Sequence, residues 1–167
     1  MPSRTVPPRT LILLRHGKSA YPPDVGDHGR PLAPRGERQA GLAGEWIRDT
    51  RPTVDAVLCS TATRTRLTLE ATGLHAPTRF SDEVYAATAA AVIREIARTA
   101  DDVRTLLVVG HEPGLPGAAV ALDPGSPLAD RIADRFPTSA IAVLSVAGDW
   151  SDLPRTGATL TDFHIPR

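Results

Sequence analysis

Thr10-Leu11-Ile12-Leu13-Leu14-Arg15-His16-Gly17 is an unbroken apolar run that stops on an arginine, a histidine and a glycine. A short apolar run bounded in this way reads as a strand buried on both faces, with its polar residues at the carboxyl end. The pattern recurs at Ala56 to Cys59, after which Ser60 or Thr61 is placed to cap a helix running through Leu67 and Glu70 towards Gly73. It recurs again at Thr105 to Val109, which ends on Gly110-His111. Between these runs, Pro34 to Arg48 carries Ala40, Ala43 and Ile47 at helical spacing, and Thr88 to Ala100 does the same with Val92, Ile93 and Ile96. Ala140 to Val146 and Ala158 to Phe163 predict two further strands, the last at a sheet edge. This alternation predicts an α/β three-layer sandwich, a largely parallel central sheet flanked by helices. The stretches Tyr21 to Pro34 and Pro113 to Pro137, rich in Pro, Gly and Asp, read as loops.

The 167 residues fit a single domain over residues 1–167, with 1–9 a flexible, proline-rich N-terminal segment. The run Leu11 to Leu14 is too short for a signal-peptide core or a membrane span. Lys and Arg number 19 and Asp and Glu 19, so no overall field favours nucleic acid or an anionic membrane, and any anion binding must be local. The single cysteine, Cys59, excludes an intramolecular disulfide and a Cys-rich zinc site and suits a reducing compartment, so a cytoplasmic location is expected. The five histidines show no His-x-His or His-x-x-x-His pairing, which argues against a metal site. His28, His75 and His164 read as surface or loop histidines.

Chemistry concentrates where strands end, since ligands of such sheets sit beyond the carboxyl ends of the strands. An arginine at the end of an apolar strand is costly unless it meets an anion or a carboxylate, and Arg15 stands there beside His16. Gly17 would let the backbone approach a ligand closely. In Ser60-Thr61-Ala62-Thr63-Arg64-Thr65 a helix begins just past a buried strand and projects Arg64, so the guanidinium and the helix N-terminus both favour phosphate. Arg66 and Arg79 read as solvated. Val109-Gly110-His111-Glu112-Pro113 repeats the strand, glycine, histidine order.

These residues resemble the histidine phosphatase superfamily, whose fold is phosphoglycerate mutase-like, and within it the short SixA-type phosphohistidine phosphatases. The resemblance runs from Leu11 to about Val146. Arg15-His16-Gly17 is similar to the signature triplet, with His16 the residue that becomes phosphorylated. Arg64 in Ser-x-x-x-Arg-Thr matches the second phosphate-binding arginine, and His111 in Gly-His-Glu-Pro the second pocket histidine. Asp27-His28-Gly29-Arg30-Pro31-Leu32 is similar to the acidic-x-x-Arg-Pro-Leu loop, which implies that Asp27 and Arg30 stand at the pocket mouth; Thr138-Ser139-Ala140-Ile141 also matches the branch.

The resemblance implies a metal-independent, cofactor-free phosphatase working through phosphohistidine on His16, most simply on phosphohistidine carried by a protein. A small-molecule phosphomonoesterase on the same scaffold, or a non-catalytic phosphate-dependent binding module, are the alternatives. The expected partner is thus a phosphorylated protein or a small phosphoester, not nucleic acid or membrane. Arg15 and Arg64 would clamp the phosphoryl group with fork-shaped donors, alongside Gly17, and a protonated His111 would add another donor. For the general acid the resemblance offers Glu83, in Asp82-Glu83-Val84-Tyr85, which reads equally as a solvated loop charge, with Asp27 as rival donor or as the partner that holds Arg30.

Overall fold

The computed structural model describes residues 6–167; Met1 to Thr5 of the expected flexible segment lie outside the described residues. Six strands form one sheet: β1 (Arg9–Arg15), β2 (Ala56–Ser60), β3 (Thr78–Ser81), β4 (Thr105–Gly110), β5 (Ile141–Val146) and β6 (Thr159–His164), in the order β3-β2-β4-β1-β5-β6. Neighbours from β3 to β1 pair in parallel, and β5 runs antiparallel to both β1 and β6, so the sheet is largely parallel. Arg9, assigned from sequence to the flexible segment, is the first residue of β1. Its guanidinium is held by the carbonyls of Gly148 and Asp101 at 2.7 and 2.9 Å.

The unbroken apolar character of β1 follows from its place in the middle of the sheet. Leu11 and Leu13 face one layer and Ile12 and Leu14 the other, all fully buried. On the Ile12 side pack α1 (Pro34–Thr50) and α2 (Thr63–Thr72), through Ala43, Ile47 and Leu69. On the Leu11 side pack α3 (Ala89–Ala97), α4 (Gly114–Leu122), α5 (Pro127–Asp134) and the short α6 (Leu153–Thr156), around Ile96, Leu115, Ile132 and Trp150. The expected three-layer α/β sandwich is the observed one.

Local expectations differ from the structure at four places. The stretch Pro113 to Pro137 folds largely as α4 and α5, since Leu115, Ala118, Ala119 and Leu122, then Ala129 and Ile132, recur at helical spacing and are buried. Ser126 caps α5 by accepting from the Leu128 amide at 3.1 Å, and Pro116 lies in the first turn of α4, where proline is tolerated. The N-cap of α2 is Ala62, not Ser60 or Thr61; Ser60 Oγ accepts from the Ala62 amide at 3.3 Å instead. The four-residue β3 is a strand that the apolar pattern does not predict. Arg79, read as solvated, pairs with the buried Glu95 at 2.6 Å and so ties this edge strand to α3.

Candidate active site

β1 and β4 lie side by side with Arg15 opposite Gly110, so the next residue of each chain, His16 and His111, emerges at the same edge of the sheet. The His16 amide donates to the Gly110 carbonyl at 3.0 Å, and the Ser139 amide donates to the carbonyls of Arg15 and His16 from the other side. The two imidazoles are buried, with ring centres 5.2 Å apart. Around them is a cleft of about 590 Å³ whose walls include Arg15, Arg64, Asp27, Arg30, Tyr85 and Glu112.

The His16 ring is fixed by its Nδ1, 2.7 Å from the carbonyl oxygen of Gly17. A carbonyl only accepts, so Nδ1 carries the proton and Nε2 keeps its lone pair. Burial, reinforced by the charges of Arg64 and Arg15, pushes the His16 pKa down to about 4, against the pull of the Gly17 bond, and the ring is neutral at neutral pH. A neutral imidazole with Nε2 unprotonated is the form a nucleophile requires.

Gly17 does not stand on the cleft wall, contrary to the role expected for it. A Cβ there would lie 2.6 Å from the Gly36 carbonyl oxygen, and one at Gly36 2.2 Å from that of Lys18, so the two glycines let the start of α1 press against the loop after β1. The Gly17 amide is also committed, donating to Thr68 Oγ1 at 2.9 Å. Its contribution is the carbonyl that orients His16.

His111 is expected to be protonated beside a phosphate, and the structure shows its state without one. Burial first, then the neighbouring His16 and Arg64, lower its pKa to about 3, so the ring is neutral as well. Its Nε2 is 2.7 Å from Ser60 Oγ, while Nδ1 is buried with no protein partner. Arg15 donates from Nη1 to the Phe136 carbonyl at 2.8 Å and pairs with Glu112 Oε2 at 2.9 Å. Arg64 projects from the first turn of α2, as its spacing predicted. The α2 N-terminus itself is not on the wall.

The mouth is a network centred on Asp27, which sits with His28 in a 3-10 turn, Asp27–Gly29. One carboxylate oxygen accepts from Arg30 Nε and Nη2 at 3.2 and 3.1 Å; the other accepts from Arg64 Nη2 at 3.1 Å and from the Tyr85 hydroxyl at 2.5 Å. These donors, Tyr85 foremost, hold its pKa well below the usual carboxylate range. Of the two readings of Asp27, this geometry favours the partner that holds Arg30, and Arg64 with it, over the proton donor. Glu83 lies exposed in the 3-10 turn Asp82–Val84, away from the cleft wall, which favours the reading of it as a solvated loop charge. Among the wall residues given no role from sequence, Tyr85 and Glu112 carry polar groups into the network. Tyr85 is two positions beyond Glu83, and Glu112 directly follows His111. Both stood in quoted motifs, but only the fold shows that they face the cleft.

His28 is exposed and bonds Thr61 Oγ1 at 2.9 Å, His75 is exposed, and His164 is a half-buried residue of β6 stacked on Trp46. Among the described residues no group of three or more His, Cys, Asp or Glu is placed to hold a metal ion.

Comparison with known proteins agrees with this geometry. A model of the histidine phosphatase superfamily (branch 1) matches residues 11–85, which contain Arg15, His16, Arg64 and Tyr85. The uncharacterized Mycobacterium tuberculosis protein Rv1276c is 54% identical over 158 residues, covering 92% of this chain and all of the relative. Among solved structures, a Nakamurella multipartitia protein assigned as phosphohistidine phosphatase SixA superposes with a TM-score of 0.91 at 40% identity, over 98% of this chain and 99% of that one. An Agrobacterium tumefaciens protein of the same assignment gives 0.80 at 30% identity, over 95% and 99%. With similarity that spans both histidine-bearing strands and the loops between them, the chain belongs to the histidine phosphatase superfamily, in its SixA-type branch.

Proposed function

We propose that the protein is a metal-independent phosphatase that takes a phosphoryl group onto Nε2 of His16 and acts on phosphohistidine carried by a protein. The observation that carries this reading is the His16 ring: neutral, anchored by Nδ1 on Gly17, with Nε2 the only nitrogen left to attack. Charge on the equatorial oxygens of a phosphoryl group in flight calls for fixed donors, and Arg15 and Arg64 provide guanidiniums on the same cleft wall. His111, neutral without a dianion beside it, would gain a proton more readily when a phosphoryl group approaches.

The leaving group distinguishes the substrate classes. An alkoxide needs a proton from a general acid, whereas an imidazole whose far nitrogen already carries a proton departs as a neutral molecule. Asp27, whose two oxygens already accept four hydrogen bonds, and Glu83, off the wall, are poorly suited to give that proton, and Glu112, the other carboxylate of the wall, pairs with Arg15 as an acceptor. This favours phosphohistidine over an alkyl phosphate. Lys18 and Tyr21 on the cleft wall are exposed to solvent, which suits a side chain presented by another protein. A SixA protein 25% identical to this chain, with a TM-score of 0.78, has been solved with tungstate, an oxyanion of phosphate-like shape; tungstate is accordingly expected to compete with substrate here. We place the activity in the cytoplasm, a reducing compartment that the free, buried Cys59 suits; no helix among the described residues is long and apolar enough to cross a membrane.

The test is the covalent adduct. Brief reaction with a phosphohistidine peptide, followed by denaturation at alkaline pH, is expected to leave an acid-labile phosphate on His16. His16→Ala should lose turnover by about 10⁴–10⁶-fold, the scale of removing a nucleophile or its base, with an unchanged circular dichroism spectrum. An adduct on another residue would falsify the assignment.

A further inference from the structure

If turnover runs through phospho-His16, its second half poses a problem that the residues assigned so far do not solve. Water must attack phosphorus, the new P–O bond forming as the P–Nε2 bond breaks. The electron pair of that bond returns to Nε2, and the ring leaves as the neutral imidazole, its proton still on Nδ1 and donated to the Gly17 carbonyl. The leaving group thus needs no proton. The one proton left to place is the one the attacking water loses, and it needs a base on the cleft wall.

The wall residues include two carboxylates, Asp27 and Glu112. Asp27 accepts four hydrogen bonds, two on each oxygen, and has no capacity left. Glu112 differs in each respect. It uses only Oε2, on Arg15 Nη1 at 2.9 Å, and its side chain is 49% exposed, so Oε1 is open to a water molecule. Its partner Arg15 is one of the two guanidiniums assigned to the phosphoryl group, which sets Glu112 at that group's edge. The histidines are no substitute: His16 is the leaving group itself, and His111 Nδ1 is buried.

We infer that Glu112 is the base of the dephosphorylation step, its carboxylate holding the attacking water and accepting its proton as inorganic phosphate is released. The proton then passes from Glu112 to solvent or to the departing phosphate, which restores the ion pair with Arg15. This inference rests on the phospho-His16 reading above.

Rapid-quench kinetics with a ³²P-labelled phosphohistidine peptide test it in Glu112→Gln. That variant keeps the shape and an oxygen facing Arg15 but cannot take a proton, and the exposed position should leave its melting curve unchanged. The expected result is a kcat lower by on the order of 10²-fold, the lower end for losing one acid–base group. Formation of phospho-His16 should stay within about threefold of wild type, so that the phosphoenzyme accumulates beyond its wild-type level and becomes the main species at steady state. Glu112→Asp is expected to recover part of the loss. If phosphoenzyme formation slows as much as kcat, Glu112 only holds Arg15 in place and the inference is overturned. An unchanged kcat overturns it as well. If wild type forms no phosphoenzyme on His16 at all, it is the underlying reading that fails, a result visible before any Glu112 variant is made.

Discussion

The stretches Tyr21 to Pro34 and Pro113 to Pro137 are both rich in Pro, Gly and Asp, yet they become opposite kinds of structure. The first remains a loop around one 3-10 turn with no buried residue, fastened by Asp27 to Arg30, Arg64 and Tyr85. The second forms α4 and α5, and buries Leu115, Leu122 and Ile132 against the sheet. Breaking residues therefore decide a loop only where no apolar side chains recur at helical spacing. Where they recur, burial outweighs the breakers, each large side chain contributing about 1.5–3 kcal/mol. One stretch is held by charge and faces the ligand; the other is held by packing and faces the core.

If that division is right, substitutions around each stretch should separate activity from stability. The largest effect is expected at Arg64, which the Asp27 loop holds from two sides. Arg64→Ala should lower kcat by about 10²–10³-fold, the scale of losing one preorganised donor. A change in KM alone would mean that the guanidinium binds substrate and transition state equally.

In the packed stretch, Ile132→Ala should cost about 2–5 kcal/mol of stability. Calorimetry should show this as a melting temperature lower by roughly 4–20 °C, with kcat per folded molecule unchanged. Loss of specific activity in that variant would break the division.

Asp27→Asn tests the other side. It weakens the acceptor that positions Arg64 and Arg30, and about tenfold in kcat/KM is expected, comparable with one hydrogen bond to a charged group. The melting temperature should move by no more than about 2 °C, as at other exposed positions. The smallest effect belongs to Glu83: Glu83→Gln should change kcat by less than about twofold on a phosphohistidine peptide and on an alkyl phosphate alike, being a surface substitution. A hundredfold loss on the alkyl phosphate would return Glu83 to the role of general acid.

What could be read from the chain alone follows the same division. β1 and β4 were legible because a strand buried on both faces must be apolar throughout, and Arg15, His16 and His111 stand out where that rule stops. Arg64 was legible from its place just past the second buried strand. β3 was not, since Thr78-Arg79-Phe80-Ser81 is short and mixed in burial, and its place depends on pairing with β2. Nor were the parts of Tyr85 and Glu112, because a hydroxyl 58 residues from the carboxylate it meets leaves no local trace. The place of Glu83 off the cleft wall has the same origin, as the direction of a side chain in a short turn is settled by packing.

The facing pair Arg15 and Gly110 makes the sheet a ruler for the two imidazoles. Neighbouring strands lie about 4.8 Å apart, and the ring centres, one residue further on, are 5.2 Å apart. The gap between the rings is thus inherited from the hydrogen-bonded lattice of the backbone. Loops around the cleft can lengthen or shorten, and so admit other substrates, while that gap stays as it is. A single residue inserted in β4 has no such freedom: it would shift His111 by about 3.3 Å and turn it to the opposite face of the sheet.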